Sequence, residues 1–85
     1  MPYIEPKQRL RFDLSIRAIA DELDTPGEIN YVICRILTLY LKRIGVSYNR
    51  INDCLGALSG ATLEFYRRVA APYEDRKNDT NGEVF

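Results

Sequence analysis

The chain has 85 residues, 46% of them hydrophobic and 28% charged, with twelve basic and twelve acidic side chains balancing to zero net charge. This is the composition of one soluble globular domain, and it excludes a disordered or fibrous chain. Charge balance argues against broad capture of nucleic acid, and the absence of histidine removes the commonest general base near neutrality and the commonest metal ligand. A domain of this size buries only about 60% of its unfolded surface, so oligomerisation is a common remedy.

The opening "MPYIEPKQRL" carries two prolines and reads as an extended lead into a short first helix, in which Phe12, Ile16, Ile19 and Leu23 recur at helical spacing. "DELDTPGEIN" then signals a restart. Thr25 suits the cap, Pro26 the first helical position, and Glu28 completes a capping box three residues after Thr25. The second helix is predicted over about 26–44, stopping at Gly45, with Lys42 and Arg43 suited to the dipole of its last turn. Ile29, Val32, Ile33, Ile36, Leu37, Tyr40, Leu41 and Ile44 sweep more than half of its circumference. That arc is wider than one neighbouring helix covers.

Ser47 suits the cap of a third helix, running to about residue 70, where Pro72 interrupts the donor pattern. Its stripe is Ile51, Leu55, Leu58, Thr62, Phe65 and Val69. The short "GVS" connection favours an antiparallel hairpin with the second helix. The expected fold is all-α: a small three-helix domain with a central antiparallel helical hairpin, a shorter N-terminal helix, and extended N- and C-terminal segments. It forms one domain over 1–85, with 73–85 as a C-terminal tail. In that tail "RKNDTNGEVF" reads as a polar linker with an Asn-Gly turn before Val84 and Phe85, which is available to dock.

Charge is segregated along the chain. Residues 13–28 hold Asp13, Asp21, Glu22, Asp24 and Glu28 against Arg17, whereas residues 29–52 hold Arg35, Lys42, Arg43 and Arg50 and no acid. Either the two segments lie together, within a monomer or across an oligomer, or the basic one is a docking face for an anion. Cys34 and Cys54 lack zinc-site spacing and read as free, largely buried thiols. With no signal peptide and no run approaching a membrane span, a cytoplasmic protein is expected.

Within the third helix, Gly56 and Gly60 stand one turn apart in "GALSG", and Leu63 continues their line. Each interior glycine costs about 1 kcal/mol relative to alanine, so a compensating close approach is expected, from the same chain or from a second subunit. The densest chemistry lies in "EFYRRVAAPYED". Adjacent arginines on a helix diverge by about 100°, so Arg67 and Arg68 do not form one clamp, and each is expected to meet a separate acid, Glu74 or Asp75. The alternative is recognition of a phosphate or carboxylate by Arg50, Arg67 or Arg68, with Tyr66 or Tyr73 supplying an aromatic wall.

"MPYI", "GEINYVI", "YNRIN", "EFYRRVAAPYED" and "NGEVF", in this order, resemble a small family of uncharacterised bacterial and phage proteins. The resemblance spans essentially the whole chain and implies a compact single domain without an assigned activity. The residues favour a non-enzymatic homo-oligomeric interaction protein, most simply a dimer. The alternative is a binder or sequestering protein for a small anionic ligand such as a nucleotide. No cofactor, metal, membrane or nucleic-acid partner is expected, and no pair of carboxylates or activated nucleophile marks an enzyme.

Overall fold

The computed structural model describes residues 4–82, and no strand occurs among them. The helices are α1 (Pro6–Ala20), α2 (Pro26–Ile44), α3 (Tyr48–Phe65) and α4 (Ala71–Asn81), with a π-helical turn, Tyr66–Ala70, between the last two. The all-α class and the three principal helices agree with the sequence reading. The chain divides into two compact units, Met1–Ile44 and Gly45–Phe85.

In the first unit, α1 starts earlier than its apolar spacing suggests. Pro6 occupies an opening position where a missing N–H goes unnoticed. The Glu5 N–H donates to Gln8 Oε1 at 3.1 Å, so "EPKQ" is itself a start signal. After Ala20 the chain tightens, with Glu22 N–H donating to Ile19 O at 3.0 Å and Leu23 N–H to Ala20 O at 3.2 Å. The predicted capping box then opens α2. Glu28 N–H donates to Thr25 Oγ1 at 3.2 Å, and Glu28 Oε1 accepts from Thr25 N–H at 2.9 Å and Asp24 N–H at 2.8 Å. These bonds, Asp24 N–H first and Thr25 N–H next, hold the Glu28 carboxyl below its ordinary value. Four donors left open at a helix start are thereby partly satisfied without any tertiary partner.

Helix α2 ends where expected. Gly45 adopts φ +99°, a left-handed conformation that disfavours any side chain. In the second unit, Ser47 is extended and its Oγ accepts from Arg50 N–H at 3.2 Å, starting α3 as predicted.

Beyond α3 the structure departs from expectation. The chain past Pro72, read as a polar linker, is helical through Asn81. Proline removes one helical donor and crowds the carbonyl four residues back. The π turn widens the helix at this point, with Ala71 N–H donating to Tyr66 O, and Pro72 falls in the first turn of the resumed helix. The Asn-Gly signal marks the end of α4, where Gly82 has φ +85° and its N–H donates to Asn78 O at 2.9 Å. Val84 and Phe85 lie outside the described residues.

Of the two free thiols, Cys54 is buried as expected but Cys34 is exposed, on a helix, α2, in which no residue is buried. Its Sγ lies 3.9 Å from Asn30 Oδ1.

Thr25→Ala should lower stability by about 1 kcal/mol, read by urea denaturation at neutral pH. Glu28 titrates below the ordinary carboxylate value of 4.5, so its contribution is fully present above that pH and is lost as pH falls through the lower folded value. A Thr25→Ala protein as stable as the wild type, with no acid-side loss in either, would contradict this role for the box.

Candidate functional site

The site residues anticipated from sequence lie on the second unit, strung along α3, the π turn and α4. Arg50 stands in the first turn of α3, and its Nη1 donates to Gly45 O at 3.2 Å. Its guanidinium therefore braces the end of the link. Arg67 lies 17 residues further on, roughly 25 Å along a helix axis, so the two cannot grip one small anion.

Around the π turn the polar groups close on one another. Arg67 Nη2 lies 2.6 Å from Glu64 Oε1, and Arg68 Nε lies 3.5 Å from Glu64 Oε2. Both arginines therefore meet one carboxylate, one oxygen each, instead of the separate acids Glu74 and Asp75. The reason is spacing: Glu64 precedes them by three and four residues, the offsets that face each other on a helix. Glu74 is held otherwise, accepting from Tyr66 Oη at 2.8 Å. That bond spans the π turn and ties α4 back to the residue that begins it. The bond to Glu74, followed by its negative charge, raises the Tyr66 phenol above its ordinary value.

Tyr73 forms no wall beside these arginines. Its ring carries Lys77 Nζ at 5.5 Å and Arg76 at 5.9 Å from the centroid, both from its own helix. The two arginine side chains at Glu64 are 64% and 66% exposed, so water screens both bridges and their contribution to stability is small.

The glycine line is open. A methyl group built on Gly56 or Gly60 would meet nothing within 4 Å, and Leu63 is exposed. The close approach expected from the same chain is thus not found among the described residues.

A concavity that no sequence motif announced lies in the first unit, at the corner between α1 and α2. It encloses about 550 Å³, with Ile19, Leu23, Tyr31 and Val32 as apolar walls and Glu22 and Glu28 at its margin. Its traces in the sequence are the apolar spacing of Ile19 and Leu23 and the acid-rich run from Asp21 to Glu28. Among the described residues, no group of three or more histidine, cysteine or acidic side chains is placed to hold a metal. No helix among them is long and apolar enough to cross a membrane.

By NMR, Tyr66 should ionise above the ordinary tyrosine value of 10.0, and Glu74→Gln should lower it. The stabilisation is fully present below the unfolded pKa and is lost as pH rises through the higher folded value. An unchanged Tyr66 titration in the variant would remove the bond from the account.

No curated protein and no solved structure matches the chain. A family model described as a domain of unknown function (DUF6899) matches residues 1–84. The chain belongs to the DUF6899 family.

Proposed function

We propose that this chain is a helical self-association module, most simply a homodimer, that acts in the cytoplasm by assembly and not by catalysis. One observation carries the reading. Among the described residues only Cys54, at 7% exposure, is buried, and α1 and α2 contain no buried residue at all. Ile16, Ile29, Ile36, Leu55 and Phe65 are among the large apolar side chains left exposed.

Folding must offset roughly 1–2 kcal/mol of backbone entropy per ordered residue. The main opposing term is apolar burial, about 1.5–3 kcal/mol for each large aliphatic side chain taken fully out of water. A single buried cysteine does not supply it. A second copy supplies the missing surface without requiring any other partner.

The anion-binding alternative draws less support. Arg50 is turned to Gly45 O, Arg67 and Arg68 share Glu64, and Tyr66 is bound to Glu74. A ligand would have to displace these internal partners. The cytoplasmic placement draws on the two free thiols, which a reducing compartment preserves.

Sedimentation equilibrium at micromolar concentration should give the mass of a dimer, and Ile36→Glu should shift it towards monomer, because Ile36 is 54% exposed on the α2 arc. Nucleotides and inorganic phosphate should leave the thermal midpoint unchanged. A strict monomer would overturn the assembly reading, and a midpoint that rises with nucleotide would favour the anion binder.

A further inference from the structure

The apolar arc of α2 has an uncovered seam with its own symmetry. Ile29, Ile33, Ile36 and Tyr40 are all exposed, at 47%, 40%, 54% and 40%. They follow one another at intervals of four, three and four, the spacing of a coiled-coil seam. That sequence of intervals reads the same in both directions. A two-fold axis midway between Ile33 and Ile36 would therefore set Ile29 against the partner's Tyr40 and Ile33 against the partner's Ile36. Every layer is filled by a residue of the same helix.

A parallel pairing would also stack the four layers, so charge decides the direction. The start of α2 is acidic: Glu28 occupies its first turn, and Asp21, Glu22 and Asp24 stand in the chain just before it. The end near Tyr40 is basic, with Lys42 and Arg43 in the last turn. Arg43 is already folded over the Tyr40 ring, its guanidinium carbon 5.8 Å from the centroid, so a charge lies at the margin of the seam. Parallel helices would set acid on acid and base on base. Antiparallel helices set each acidic end against a basic one and oppose the two macrodipoles.

Resting on the self-association proposed above, we infer that α2 is the dimer helix and pairs antiparallel with α2 of a second copy. Its seam is Ile29, Ile33, Ile36 and Tyr40, and at each end Arg43 stands beside the partner's first turn, which carries Glu28. The acidic first turn and the basic last turn of α2 become neighbours across the axis, whereas along one helix they are separated by most of its length.

Directional disulfide trapping tests this inference. Ile29→Cys and Tyr40→Cys chains, each in a Cys34→Ser, Cys54→Ala background and checked for helicity by circular dichroism, are mixed and mildly oxidised. Antiparallel pairing predicts a mixed disulfide joining residue 29 of one copy to residue 40 of the other. It predicts none between two copies of the same variant, whose sites lie 11 residues, about 16 Å, apart along the pair. A residue 29 disulfide between like chains would establish parallel pairing and overturn the inference. A wild-type dimer whose variants keep their helicity but form no mixed disulfide would place the interface elsewhere and overturn it, while leaving self-association standing. A wild-type monomer would instead remove the self-association on which it rests. A readout free of cysteine substitutions is ionic strength: wild-type dimerisation should weaken as salt rises, and dimerisation that strengthens with salt would contradict opposed charges at the interface.

Discussion

The constraint on which the rest depends is the removal of apolar surface from water. Helix formation satisfies the backbone of this chain almost entirely within its own segments, through the caps at Glu5, Thr25 and Ser47 and the glycine stop at Gly45. It does nothing for the side chains. Ile29, Ile33, Ile36 and Tyr40 stay exposed, and the only buried group among the described residues is a thiol. Helices in proteins draw most of their stability from packing of the apolar face and little from propensity. An interaction that covers that face is therefore a condition of folding as well as a candidate function.

The electrostatic features fit the same constraint. Polar groups around the π turn find their partners nearby: one carboxylate, Glu64, meets two arginines, and Glu74 accepts from a phenol. Charges at the ends of α2 are not cancelled along the chain, because acid gathers at one end and base at the other. Local partnering gives a bracing role to "EFYRRVAAPYED". Uncancelled separation gives a direction to α2.

Local physics made much of the fold legible in the sequence. Thr25, Pro26 and Glu28 announced the start of α2, and Gly45 its end, because caps and stops depend on residues a few positions apart. The continuation of the last helix was not legible in the same way. Pro72 normally interrupts a helix, and only the wider π turn at Tyr66–Ala70 lets the chain resume. The arginine partners were legible in principle, since Glu64 stands three and four residues before Arg67 and Arg68, whereas the acids expected to pair with them lie beyond the π turn and Pro72. The corner lined by Ile19, Leu23, Tyr31 and Val32 was hidden because it joins two helices across a turn. The exposure of Cys34 was hidden too: an arc on a helical wheel marks which residues need cover and not which obtain it.

The central claim, that burial of the apolar faces requires a second copy, is tested most directly by melting the wild-type protein across about a hundredfold range of concentration, following helicity by circular dichroism. Mass action links the stability of an obligate dimer to protomer concentration. The account predicts a midpoint that climbs steadily with concentration and loss of helicity on dilution. A midpoint and helical content independent of concentration over that range would contradict it.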